Sequence, residues 1–203
     1  MARTTDAVCR KCRREGTKLF LKGERCVGPK CSFTRRSYAP GQHGPGSRIR
    51  LSEYGTQLRE KQKAKGIYGI FERQFANYYD KAKKVKGEAG MLSLVERRLD
   101  NVVYRLGFAP SRSAARQIVS HGHIVLNGKK NTIPSYQIKI GDKITFANPK
   151  ESLAIEAMKN IKKSVPTSWL KIDNGIAEVT SLPAKEDIGG EVEERLIIEY
   201  YSR

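Results

Sequence analysis

Four cysteines are the only thiols in the 203-residue chain, and they fall as two close pairs, Cys9-Arg-Lys-Cys12 and Cys26-Val-Gly-Pro-Lys-Cys31, with thirteen residues between them. Two short knuckles joined by a hairpin-length spacer suit one tetrahedral ion held by four thiolates. The second knuckle is two residues wider than the commonest spacing, and Gly28-Pro29 lets its backbone turn around the ion. A redox dithiol at Cys9/Cys12 would be expected beside a βαβ pattern, which is missing, and disulfides do not suit a reducing compartment. The expected ligands are therefore Cys9, Cys12, Cys26 and Cys31, with zinc as the expected occupant and an iron–sulfur cluster as the alternative. Such a closed site is structural rather than catalytic. His43, in a Pro/Gly-rich linker from Pro40 to Gly46, is not needed to complete it.

Basic residues surround the thiols and continue beyond them. The net charge is +18, unevenly spread: +10 over residues 1–50, +4 over 51–90, +7 over 91–150 and −3 over 151–203. The first three quarters form a surface for a polyanion, nucleic acid foremost, while the acidic last quarter faces something else. No run of eighteen apolar residues and no apolar leader is present, so neither a membrane span nor a secretory signal is expected, and a cytoplasmic setting is the default.

Several elements must position these charges. Residues 51–87 carry helical patterning, with Ser52 as N-cap and Gly66 and Gly87 as breaks, and Tyr68, Phe71, Phe75 and Tyr78 recur at helical steps as an aromatic core stripe. Leu92, Val95, Leu99, Val103 and Leu106 form one apolar helix face closed by Gly107, with Arg97, Arg98, Asn101 and Arg105 on other faces. Asp100 is expected to pair with Arg97 one turn back or to position an RNA-facing arginine. Ser111 or Ser113 caps a second helix that packs Ala115, Ile118 and Val119 inward and sets Arg112 and Arg116 one turn apart near its start, a ready phosphate clamp. Gly122 ends that helix. "HIVLNGKK" reads as a hairpin turning at Asn127-Gly128, and "QIKIGDKITF" as two more strands about Gly141-Asp142. Helix, helix and hairpin make one basic face suited to the backbone of folded RNA.

The segment Arg97–Gly128 resembles the αL RNA-binding module shared by a ribosomal protein family, pseudouridine synthases, tyrosyl-tRNA synthetase and a heat-shock RNA-binding protein. "REGTKLFLKGERC", "APGQHG", "LREKQK", "YGIFERQFANYY", "RLDNVVYRLGF", "ARQIVSHGHI" and "LIIEYYSR", in that order, resemble the signatures of the S-four family of small-subunit ribosomal proteins over essentially the whole chain. The resemblance implies an α+β protein: a four-cysteine zinc segment and linker at 1–45, a helical domain of 46–90 with 181–203, and an inserted αL domain at 91–180. It also implies a non-enzymatic, ribosome-bound protein that binds small-subunit rRNA near the 5′ domain junction and nucleates assembly. Residues after "APGQHG", here Arg48 and Arg50, would line the mRNA entry channel, and the acidic C-terminal segment would face ribosomal protein S-five and influence accuracy. Other small-subunit proteins are further expected partners; a membrane and a small-molecule substrate are not. Candidate RNA contacts are Arg13, Arg14, Arg35, Arg36, Arg48, Arg50, Arg59, Lys61, Lys63, Arg97, Arg112, Arg116, His121, His123 and Lys129. Two rivals are a free-standing RNA chaperone and an RNA-modifying enzyme, the latter because "RRLD" at 97–100 looks like the Arg-Leu-Asp of pseudouridine synthases. The Thr/Ser-x-Gly continuation is absent, and there is no room for a catalytic domain.

Overall fold

The computed structural model describes residues 6–46, 50–84, 90–148, 167–173, 175–184, 186–188 and 192–203. Arg48 and Gly87 lie outside them. Two compact units result: Met1–Lys84 with Gly190–Arg203, and Val85–Gly189. The cysteine segment thus belongs to the helical unit, and residues 181–188 belong with the second unit.

In the helical unit, the short helices α1 (Cys9–Glu15), α2 (Glu24–Val27) and α3 (Ser32–Arg35) precede α4 (Glu53–Tyr68) and α5 (Glu72–Lys84). The Ser52 hydroxyl accepts from the Gly55 N–H, satisfying one of the orphan donors at the start of α4. Gly66 does not break this helix; Gly69, at φ 64°, ends it. The expected aromatic stripe is consequently split: Tyr68 closes α4, Phe75 and Tyr78 lie on α5, and these three are buried, while Phe71 sits in the turn, 44% exposed.

The unit is completed by the chain's last helix, α9 (Glu194–Ser202), which packs on α4 and buries Ile197 fully. Around Lys61, Tyr54 meets Tyr200 (ring centroids 5.6 Å apart) and Tyr79 stacks on Tyr201 (4.8 Å). Before α4, a β-carbon at Gly44 would stand 2.0 Å from the Ala39 carbonyl oxygen, so "APGQHG" closes on itself only with glycine there.

The second unit comprises α6 (Met91–Glu96), α7 (Leu99–Arg105), α8 (Arg112–Ser120) and a five-stranded antiparallel sheet of order β2-β1-β3-β5-β4. Its strands are β1 (Ile124–Leu126), β2 (Lys129–Lys130), β3 (Lys143–Phe146), β4 (Leu170–Asp173) and β5 (Ile176–Val179). The apolar run from Leu92 to Leu106 is buried as its period demands, but it is two helices rather than one. Arg98 is extended and bridges Gln137, and the first N–H groups of α7 donate elsewhere: Leu99 to Tyr136 O (2.9 Å) and Asp100 to Pro134 O (3.1 Å). Long-range backbone pairing outcompetes helix continuation at this point. The same segment explains why "QIKI" is not a strand, since Gln137 contributes only that single bridge.

Leu99, Val103, Ala115, Val119, Ile124, Ile144 and Trp169 form one core between the helices and the sheet. Asn127 (φ 50°) and Gly128 (φ 79°) make the tight primed turn joining β1 to β2. That turn is fastened to the next strand: Asn127 Nδ2 donates to Asp142 Oδ1 (2.8 Å), and the Lys143 N–H donates to Asn127 Oδ1 (2.8 Å).

Candidate nucleic-acid interface

The start of α8 carries the two arginines expected there. Ser111 is its cap, accepting from the Ala114 N–H at 3.3 Å; Ser113 instead pairs with the Ser111 hydroxyl. Arg112 and Arg116 stand one turn apart, each partly buried. Neither is a loose surface arginine. Arg112 Nε donates to Asn101 Oδ1 at 2.8 Å, and its guanidinium lies 4.5 Å from the centre of the Tyr104 ring. Arg116 Nη1 reaches Asp100 Oδ2 at 3.4 Å.

Those partners are themselves fixed from below. Arg98, 1% exposed, forms a two-point bond to Asp100, Nε to Oδ1 at 3.0 Å and Nη2 to Oδ2 at 2.7 Å. The Asn101 N–H adds a third bond to Oδ1 at 2.9 Å. Asn101 Nδ2 donates to the Glu96 side chain and to its carbonyl, and Arg105 makes a fork to the Glu96 carboxylate at 2.7 and 3.1 Å. Buried carboxylates are tolerable here because guanidinium forks neutralise them and fill their lone pairs. The arginines that face outward are thus held by a layer of buried acids and amides, which restricts their rotamers before any ligand arrives.

The two alternatives for Asp100 divide here. It does not pair with Arg97, whose guanidinium donates instead to the Ile138 carbonyl at 3.0 and 3.1 Å, but it does hold Arg116, a candidate RNA contact, together with Arg98. Arg98 and Asn101, off the apolar face, are nevertheless buried. The Asp100 carboxylate, filled by four donors, is not a poised nucleophile, which removes the feature that suggested an RNA-modifying enzyme.

At the other end of α8, His121 is exposed and His123 half-buried, their rings 6.2 Å apart across Gly122 (φ 77°). Lys129 is exposed on β2, and Lys130, Lys139 and Lys143 add exposed charge to the same unit.

In the helical unit the candidates divide. Arg14, Arg35, Arg36 and Arg50 are exposed. Arg13 is a brace: Nε donates to Tyr38 O at 3.0 Å, Nη2 to Ala39 O, and the guanidinium covers the Tyr38 ring. Arg59 pairs with the nearly buried Glu15 (3.2 Å), and Lys63 with Glu60 (3.2 Å). Lys61 is the clearest departure from expectation. It is 4% exposed, bonded to Glu72 at 2.9 Å and set 4.0 Å from the centre of the Tyr200 ring, so it joins α4, α5 and α9 rather than offering a charge to solvent.

Cys12, Cys26 and Cys31 are buried and Cys9 is half-buried, all four as free thiols. Among the described residues no group of three or more His, Cys, Asp or Glu side chains is arranged to hold a metal ion. N–H donors nevertheless reach the sulfurs: the Lys22 N–H approaches Cys26 Sγ at 3.3 Å, and that of Thr34 draws the Cys31 thiol down in pKa. Burial pushes the Cys12 thiol up. N–H groups aimed at sulfur favour the thiolate, the form in which cysteine binds metal.

Glu96, Arg98 and Asn101, which hold these arginines directly or through Asp100, are absent from the sequence-based candidates. One signal was available: "VERRLDN" interleaves two acids and an amide with the basic residues, where a simple phosphate-binding face has no use for them.

Residues 3–96 match the family described as ribosomal protein S4/S9 N-terminal domain, and residues 97–144 match the S4 domain. The chain is 54% identical over 209 residues to small ribosomal subunit protein uS4 of Pelotomaculum thermopropionicum, covering all of both chains. It is 52% identical to the uS4 proteins of Geotalea daltonii, over 212 residues, and Clostridioides difficile, over 208, again with full coverage of both.

Proposed function

The chain belongs to the uS4 family of small-ribosomal-subunit proteins, and from that premise we propose that it is a structural component of the small subunit, not an enzyme, that holds rRNA through its paired arginines. The observation that carries this reading is Arg112 and Arg116, set one turn apart at the start of α8 and steadied by Asn101 and Asp100. Pre-oriented guanidiniums near a helix N-terminus suit phosphate oxygens. They read backbone shape rather than base identity, as recognition of folded RNA requires.

The finer reading is that the protein docks early near the 5′ domain junction and nucleates assembly, with Arg48 and Arg50 toward the mRNA entry channel and the acidic C-terminal segment toward ribosomal protein S-five. The family resemblance and the charge reversal after residue 150 support it. A zinc ion on Cys9, Cys12, Cys26 and Cys31 is part of the same proposal, supported by the cysteine spacing and the N–H donors to sulfur. Its task would be to fix a short, highly charged segment that lacks a core of its own.

Sedimentation tests the proposal directly. The protein in lysate is expected to travel with small subunits through a density gradient and to leave them only at high salt; a protein found wholly at the top of the gradient at low salt refutes a ribosomal role.

A further inference from the structure

The helical unit carries a cleft of about 530 Å³ whose walls include Arg10, Lys11, Arg14, Lys65, Gly66 and Phe71. Its lining cations outnumber its acids, Asp6 and Glu15; Arg59 is committed to Glu15 and Lys65 to Glu72, so the excess positive charge rests on Arg10, Lys11 and Arg14. Phe71 is 44% exposed in the turn after Gly69, beside the buried Ile70, so an aromatic ring stands at the edge of a cationic hollow.

Gly66 supplies a second, independent observation. It lies inside α4, where glycine is the poorest helix former after proline. Nothing in the fold calls for it: no left-handed φ occurs there, and an added β-carbon would meet only ordinary contacts, Leu19 Cδ1 and Lys11 Cδ, both at 3.7 Å. The position nevertheless lines the cleft and carries no side chain. A side chain longer than alanine's would start from between Leu19 and Lys11, at the wall of the hollow.

We infer that this cleft receives one unpaired, looped-out rRNA nucleotide, its base against Phe71 and its phosphate between Arg10 and Arg14, with Gly66 keeping the floor open. The dimensions suit a nucleotide, the charge suits its phosphate, and an exposed ring suits its base, since stacking on an aromatic is tolerant of base identity. This rests on the rRNA-binding reading above and adds to it a contact of a different kind from the clamp on α8.

The test uses the full-length protein and small-subunit rRNA, with chemical probing of unpaired bases. Wild type is expected to protect one unpaired base that Phe71→Ala and Gly66→Met both release, with affinity lowered about tenfold, in the range lost when a stacking aromatic is truncated. Gly66→Ala, which adds only the tolerated β-carbon, serves as the folding control and should melt no lower than wild type. Gly66→Met and Phe71→Ala variants that melt like wild type and give the unchanged footprint overturn the inference while leaving the rRNA-binding reading intact. Failure of wild type to bind rRNA at all sinks that underlying reading instead. Adenosine monophosphate is titrated into free protein as the comparison probe; only millimolar binding is expected, and micromolar saturation at Phe71 would reassign the cleft to a free nucleotide.

Discussion

Arg112 Nε donates to Asn101 Oδ1 at 2.8 Å, while the amide nitrogen of the same asparagine donates to Glu96. Asn101 therefore joins an arginine that faces outward to a carboxylate that is almost wholly buried. Asn101→Ala is expected to release Arg112 without deleting it. The stability loss should be about 1–2 kcal/mol, the range for removing a buried hydrogen-bond partner. Affinity for rRNA should fall less than for Arg112→Ala, and the slope of log affinity against log salt should stay near that of wild type, because the phosphate contact still forms. Arg112→Ala should lower that slope by about one phosphate's share. Equilibrium filter binding at several salt concentrations distinguishes the two; an unchanged slope for Arg112→Ala would count against a phosphate contact.

Arg98 sits beneath this layer with its charge answered by Asp100. Asp100→Ala would leave a guanidinium buried at 1% exposure without that carboxylate, a change that costs about 3–5 kcal/mol in comparable buried pairs. Urea denaturation of the second unit, followed through Trp169, measures it, since this is the chain's one tryptophan and it lies in that core. A loss below about 1 kcal/mol, typical of exposed ion pairs, would mean that the pair is not structural.

What was legible in the sequence is what local chemistry decides. Ser52 and Ser111 as caps, Gly122 as a terminator, Asn127-Gly128 as a turn and the burial of Leu99, Val103, Ala115 and Val119 all follow from a residue and its near neighbours. The misread features depend on partners far away in the chain. The break at Arg98 exists because the backbone near residues 134–138 accepts and donates hydrogen bonds there, about which the period of Leu92 to Leu106 is silent. Lys61 looks like any exposed basic helix residue until α9, more than 130 positions later, places Tyr200 over it. The strands at 170–179 add a register that their short, mixed sequences do not announce. In the candidate site, the residues that face outward were readable by charge and Asp100 as an acid that positions one of them, whereas Glu96 and Asn101 were readable only as an anomaly in "VERRLDN".

Glu72 ties the helical unit together by accepting from Lys61, Lys65 (2.6 Å) and the Tyr201 hydroxyl (2.7 Å). Burial by itself would raise its pKa, but these three donors outweigh that and bring it down from 4.5 to about 2. A carboxylate whose folded pKa is depressed contributes stability that is complete above its unfolded value and disappears as pH falls through the folded one. The helical unit should therefore lose this contribution between about pH 4.5 and about pH 2. With the Glu72 side chain 47% exposed, solvent screening keeps the effect to about 1 kcal/mol or less. Near-ultraviolet circular dichroism of the tyrosine cluster, followed during melts from pH 2 to pH 6, reports on it. Glu72→Gln should melt lower than wild type at pH 6 and match it near pH 2; a constant difference at every pH would contradict the role of the ionised carboxylate.

The thiols make the last prediction. Cys12, Cys26 and Cys31 are buried within a segment whose short helices have little apolar material: of its non-cysteine apolar residues Leu19 is buried, while Val27 is 76% exposed. Such a segment cannot hold its shape by burial alone, and a metal bound by four thiolates would supply the missing energy. Protein purified without chelator is expected to carry about one zinc per chain by elemental analysis, as one four-thiolate site requires. Cys26→Ser should lower that content, and because the Lys22 N–H then meets a hydroxyl that is a weaker metal donor, amide exchange should rise across residues 6–45. Exchange in α7, α8 and β1 to β3 should stay as in wild type, since their core contains none of these residues. Two results would remove the metal from the proposal: protein free of zinc and iron as purified, or a Cys26→Ser variant with unaltered exchange in the cysteine segment.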